Sequence, residues 1–109
     1  MEKGKIDQVI ESIVQGYKPE RIILFGSHAH DKANENSDLD LLIIKDTNER
    51  YFQRMKTIRS LFKVYPCAMD IFVYTNEEFE HAFKYNSLLP YIAFHEGKVV
   101  YERGNSALD

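Results

Sequence analysis

The chain has 109 residues, 44% hydrophobic and 28% charged, which is the balance of a folded domain and excludes a disordered chain. Fourteen Lys and Arg against seventeen Asp and Glu leave a formal net charge of −3, which counts against a protein that grips nucleic acid mainly through its phosphates. No apolar run approaches a membrane span, Met1-Glu2-Lys3-Gly4-Lys5 leads into no apolar secretory segment, and the lone Cys67 can form neither an internal disulfide nor a thiolate-rich zinc site. The expectation is one soluble domain over residues 1–109, working in the cytoplasm.

Ile6, Val9, Ile10, Ile13, Val14 and Tyr17 recur at helical spacing, and Gly16-Tyr17-Lys18-Pro19 ends the stripe. Arg21 to Phe25 is a β-branched and aromatic run closed by Gly26, read as a buried strand. Ser27 to Ala33 suits a short helix, and Asn34-Glu35-Asn36-Ser37 a polar loop. Asp38 to Ile44 is the second strand. Tyr51, Phe52, Met55, Ile58, Leu61 and Phe62 predict a helix from about Asn48 to Phe62. Arg50, Arg54, Lys56, Arg59 and Lys63 give that helix a basic polar face, expected to be solvated. Ala68 to Tyr74 is a third strand, after which Thr75 or Asn76 can cap a helix running through Glu77, Glu78 and Phe79. A helical stretch from Leu88 to His95 and an edge strand from Lys98 to Tyr101 complete the chain. Strands alternating with helices predict an α/β (α+β) architecture, a small sheet covered by helices.

The informative residues are those that break the strand patterns. Asp is depleted in strands, yet Asp38 and Asp40 open an otherwise apolar run and Asp70 interrupts Met69 and Ile71-Phe72-Val73. Strand alternation points Asp38 and Asp40 the same way, and pairing of the second and third strands brings Asp70 to that face. Three carboxylates packed together repel one another and lose hydration. Neither the second nor the third strand contains a Lys or Arg, so divalent metal is the economical counter-charge, and an all-oxygen set favours Mg²⁺ or Mn²⁺. Gly26-Ser27, at the end of the first strand, lets backbone approach a ligand closely and offers a hydroxyl where a helix begins, an arrangement suited to phosphate.

Gly26-Ser27, then Asp38-Leu39-Asp40, then Asp70 resembles the signature of the nucleotidyltransferase superfamily that includes DNA polymerase β. Leu24 to His30, Ser37 to Ile43 and the ending Phe94 to Glu102 look in particular like the minimal nucleotidyltransferases of bacteria and archaea, and the likeness runs from the first helix to about Glu102. The resemblance implies the nucleotidyltransferase fold, with a small mixed β-sheet flanked by helices. It implies an antitoxin that transfers AMP from ATP to a tyrosine of a helical HEPN-type ribonuclease toxin. Gly26 and Ser27 would then hold the nucleotide phosphates, Asp38 and Asp40 would bind two Mg²⁺ or Mn²⁺ ions, and Asp70 would complete one metal site and help deprotonate the attacking hydroxyl. Nucleic acid is not the direct substrate expected. Two rival readings stand beside this one: a non-catalytic antitoxin that neutralises by binding, and a nucleotidyltransferase acting on a small molecule or RNA end with a partner chain.

Many such relatives carry arginine where this chain has His28 or His30, and glycine in place of Asp31. His28 and His30 are spaced i, i+2, so they do not share a helical face and read as polar loop residues, with His81 and His95 at the surface or rim. Phe79, Phe83, Tyr85, Leu88, Leu89, Tyr91, Ile92 and Phe94 crowd sixteen residues, more apolar surface than one helix on a sheet buries, and predict a partner-facing region.

Overall fold

A computed structural model describes residues 3–30, 38–64, 66–85 and 88–104. In chain order the elements are α1 (Lys3–Tyr17), β1 (Arg21–Phe25), a single 3-10 turn (Ser27–Ala29), β2 (Leu39–Ile44), α2 (Tyr51–Ser60), β3 (Met69–Tyr74), α3 (Asn76–Lys84), α4 (Leu88–Glu96) and β4 (Lys98–Glu102). The strands form one mixed sheet in the order β3-β2-β1-β4. β1 runs antiparallel to both β2 and β4, while β2 and β3, joined through α2, are parallel. No helix of the described residues is long and apolar enough to cross a membrane.

Strand alternation divides the core into two layers. Leu39, Leu41 and Ile43 of β2, with Ile22, Leu24, Ile71 and Val73, pack against Val9, Ile13 and Tyr17 of α1 and Ile58 of α2. Ile23, Phe25, Leu42 and Ile44 point the other way, where Ala93 of α4 is buried with them and Phe79, Leu89 and Ile92 pack alongside. β2 is buried on both faces, which is why it reads as a continuous apolar run after its acidic start.

The helix ends follow local chemistry. α1 stops where Lys18 takes a positive φ of 53° ahead of Pro19. Lys45 then ties that terminus to the sheet, its Nζ donating to the Tyr17 carbonyl at 2.5 Å and lying 4.8 Å from the centre of the Tyr17 ring. α3 begins at a complete capping box: the Glu78 N–H donates to Thr75 Oγ1 at 3.1 Å and the Thr75 N–H to Glu78 Oε1 at 2.9 Å.

Four expectations change. The second helix covers Tyr51–Ser60, shorter than the 48–62 its apolar spacing suggested, because Leu61 and Phe62 close it with tighter hydrogen bonds to the Ile58 and Arg59 carbonyls. Helix after β1 extends only through Ala29; the remainder of the expected Ser27–Ala33 segment, Asp31 included, and the Asn34–Ser37 loop lie outside the described residues. Asp38 precedes β2 rather than opening it. Arg54 does not belong to a solvated face: it is 6% exposed and turns inward beneath β3. Of the apolar C-terminal region, Phe79, Phe83, Leu89 and Ile92 are half-buried and Tyr85 is exposed, while the side chains of Leu88, Tyr91 and Phe94 lie outside those described.

Candidate active site

Parallel pairing of β2 and β3 makes Asp40 and Asp70 direct register partners. Both alternate away from Leu39, Leu41 and Ile71, which fill the layer under α1 and α2, so the two carboxylates stand on the opposite face at one end of the sheet. Asp40 is half-buried and Asp70 exposed, and the two lie close enough for the protonated Asp40 carboxyl to donate to Asp70. Asp38 is exposed just ahead of β2, where the Leu39 N–H donates to the Ala68 carbonyl at 2.9 Å and holds the start of β2 against β3.

The electrostatics single out Asp40. Burial, then the negative charges of Asp70 and Asp38, then the hydrogen bond that protonated Asp40 donates to Asp70 push its pKa up to about 6, against a smaller opposing pull from His28. His28 lies in the 3-10 turn next to Ser27. Sequence reasoning read it as a departure from arginine and a polar loop residue; its link to Asp40 comes from the turn folding back over the start of β2.

Gly26 is required here on two separate grounds. Its φ of 76° lies where side-chain-bearing residues are strained, and a Cβ built on it would run into Asp40 Oδ2, with Asp40 Cγ at 3.1 Å. The cause is again register: Phe25 pairs with Asp40 across β1 and β2, so the chain leaving β1 passes directly over that carboxylate. Ser27 then opens the turn, closed by the Ala29 N–H to the Gly26 carbonyl at 3.1 Å and the His30 N–H to the Ser27 carbonyl at 3.2 Å. The floor beside the carboxylates is aromatic, with the Phe25 and Phe72 rings tilted and 6.2 Å apart.

The fold therefore brings Asp40, Asp70 and Gly26 together, with Ser27 adjacent in the chain and Asp38 acting on Asp40 through its charge. Among the described residues, no three His, Cys, Asp or Glu side chains already surround one metal-sized point. The donor set still fits a hard divalent cation: all its atoms are oxygens, and a cation would offset the burial and the carboxylate repulsion that raise the Asp40 pKa. His30, His81 and His95 are exposed and are not gathered at this site.

The family model described as "Polymerase beta, Nucleotidyltransferase" matches residues 8–106. No curated protein sequence matches the chain significantly. Among solved structures, a candidate nucleotidyltransferase from Sulfolobus solfataricus is 16% identical, with a TM-score of 0.63 over 92% of this chain and 79% of that one. A toxin–antitoxin structure with AMP-PNP is 17% identical, with a TM-score of 0.62 over 97% of this chain and 77% of that one. A toxin–antitoxin structure, MntA-HpeT carrying two Asp-to-Glu substitutions, is 14% identical, with a TM-score of 0.63 over 92% and 75%. At these identities the likeness is one of fold.

Proposed function

The chain belongs to the polymerase beta nucleotidyltransferase family, and we propose that it transfers AMP from ATP to a tyrosine of a HEPN-type ribonuclease toxin, acting in the cytoplasm as that toxin's antitoxin. The observation that carries the reading is the register pair Asp40–Asp70 standing over a glycine that no other residue can replace without moving Asp40. Two fold neighbours are toxin–antitoxin structures, one of them with AMP-PNP, and support both the partner class and the nucleotide.

In this reading Gly26 and Ser27 receive the nucleotide phosphates, Gly26 by presenting backbone where a side chain would block approach. Asp38, Asp40 and Asp70 would hold two Mg²⁺ or Mn²⁺ ions. Bound there, the ions would neutralise phosphate charge and align the reacting oxygens. The acceptor hydroxyl oxygen forms a bond to the α-phosphorus as the bond from that phosphorus to the α,β-bridging oxygen breaks, and pyrophosphate leaves. The hydroxyl proton passes to the Asp70 carboxylate, the more exposed member of the pair and so the one an incoming acceptor meets. Asp40, half-buried and held by its neighbours, orients rather than reacts. The half-buried apolar side chains of α3 and α4 cover this same face of the sheet and offer the toxin a seat beside the carboxylates.

The test is to incubate the chain with the product of an adjoining all-helical reading frame, Mg²⁺ and ATP, and to weigh the partner. Addition of AMP by wild type, lost in Asp40→Asn with partner binding retained, is the expected result. Neutralisation by Asp40→Asn without added mass would replace this reading with the occluding antitoxin.

A further inference from the structure

Strand register brings the end of α3 to the carboxylates. Lys98 opens β4 opposite Leu24, one residue before Phe25, the register partner of Asp40. Gly97 lies so close to β1 that a Cβ there would stand 2.7 Å from Ile23 Cγ2 and 3.0 Å from the Leu24 carbonyl oxygen. α4 thus ends beside the strand end that leads into Gly26. His95 lies in the last turn of α4, and the Phe83 ring of α3 stacks on it with centres 6.1 Å apart. Tyr85 follows two residues later, at the C-cap of α3. α3 itself packs Phe79 on the sheet face that bears Asp40 and Asp70. Tyr85 therefore stands at the rim of that face, at the end where the two carboxylates lie.

Its phenol is also the accessible one. Tyr85 is 65% exposed, whereas Tyr17 is 4% exposed, Tyr74 and Tyr101 are half-buried, and Tyr51 belongs to α2 in the opposite layer. The Tyr85 ring rests against the His81 imidazole, centres 4.6 Å apart, and Lys84 Nζ lies 5.9 Å from its centre. These contacts steady the phenol and set a cation beside it, where the phosphates of a nucleotide are attracted. We infer that Tyr85 is a modification site, and that the chain transfers AMP from ATP to the Tyr85 hydroxyl of a second copy of itself. The inference rests on the proposed transfer of AMP to tyrosine and extends its acceptor from a partner's phenol to the chain's own. A ring so largely in solvent points away from the face it borders, so the carboxylates of a neighbouring copy meet its hydroxyl. The phenol oxygen forms a bond to the α-phosphorus as the bond from that phosphorus to the α,β-bridging oxygen breaks. Pyrophosphate leaves, and the phenol proton passes to Asp70 of the copy that holds the ATP.

The experiment incubates the purified chain with Mg²⁺ and ATP and no other protein, and follows intact mass and the modified residue by mass spectrometry. Wild type should gain one AMP, mapped to Tyr85. Tyr85→Phe keeps the ring and removes the acceptor oxygen, so self-modification should fall by about tenfold or more while modification of a toxin partner is unchanged. Asp40→Asn retains the acceptor without the catalyst, and Tyr85→Phe retains the catalyst without the acceptor. Mixed together, they should place AMP on the Asp40→Asn chain, which its mass identifies, and circular dichroism melts show whether each variant is folded. A parallel reaction supplies the product of an adjoining all-helical reading frame as acceptor. Modification of that protein by a chain that itself gains no AMP overturns the inference and leaves the transfer reading standing, whereas modification of neither overturns both. AMP mapped to another residue, self-modification of Tyr85→Phe at the wild-type rate, or an unmodified Asp40→Asn chain in the mixture would each overturn the inference alone.

Discussion

Arg54 of α2 and Glu78 of α3 meet around the edge of the sheet, Nη1 to Oε1 at 2.6 Å and Nη2 to Oε2 at 3.1 Å, in a two-pronged pair joining helices from opposite layers. The same guanidinium donates to the Val73 carbonyl at 3.1 Å and, through Nε, to the Glu49 carbonyl at 2.9 Å, so one buried cation fastens the edge strand β3. That strand carries Asp70, and the clamp therefore holds one half of the carboxylate pair from below.

Glu78 serves Arg54 and the α3 capping box together, and its replacement should expose both roles. Glu78→Ala should destabilise by about 2–3 kcal/mol, through an unpaired buried guanidinium and a lost cap. Glu78→Gln, which retains a cap acceptor, should cost about 1 kcal/mol less. Urea unfolding of the two variants measures the difference, and equal losses would show that the charge alone matters.

The same pair sets an acid limit. The hydrogen bond and charge of Arg54 hold the Glu78 carboxyl below its ordinary value of 4.5. A depressed folded-state pKa means the contribution is complete above the unfolded value and is lost as pH falls through the folded one. Wild-type stability should accordingly drop below about pH 4.5 more steeply than that of Glu78→Gln, read from melting temperatures between pH 3 and 6. Parallel curves would remove Glu78 as the source.

Asp40 has the opposite sign. With its folded pKa raised to about 6, the ionised form is penalised in the folded state at neutral pH. Asp40→Asn should raise stability in metal-free buffer at pH 7.5 by about 1 kcal/mol, after allowing for its partial exposure to solvent. Mg²⁺ or Mn²⁺ should raise the wild-type melting temperature, and Asp38→Asn/Asp40→Asn should abolish that response. A metal response that survives both substitutions would place the ion elsewhere.

Gly26→Ala should destabilise by about 1–3 kcal/mol, combining left-handed backbone strain with displacement of Asp40. Pairing it with Asp40→Ala should recover the steric part and leave the conformational part, a coupling that a double-mutant cycle in calorimetry resolves. Strict additivity would mean the two residues do not touch.

Tyr17 is 4% exposed, and its hydroxyl oxygen is buried without a hydrogen-bond partner among the described residues; burial foremost pushes its pKa up to about 12. Tyr17→Phe keeps the ring under Lys45 and discards the stranded hydroxyl. It should be neutral or stabilising by up to about 1 kcal/mol in thermal denaturation, since no bond is lost.

Much of this protein is legible along the chain because the signals are local. β-branched runs mark β1 to β3, the Thr75 cap marks α3, and Asp70 inside an apolar strand announces a carboxylate in need of company. Gly26-Ser27 with Asp38-x-Asp40 carries the family because the spacing of those residues is itself a sequence property. Arg54 is different. One-dimensional periodicity assigns it with Arg50, Lys56 and Arg59 to a basic face, yet only it turns inward, because its partners Val73 and Glu78 arrive from 19 and 24 residues away.

What the sequence determined by itself is the list of elements and the residues able to do chemistry, for both follow from side-chain type and local spacing. Tertiary structure alone decided that Asp40 faces Asp70, that Phe25 brings Gly26 over the Asp40 carboxylate, and that His28 reaches its field. Those relations are set by strand register and by the parallel crossover through α2. A slip of one residue would turn every one of these side chains to the other face, and only burial of both apolar layers at once selects the register that joins them.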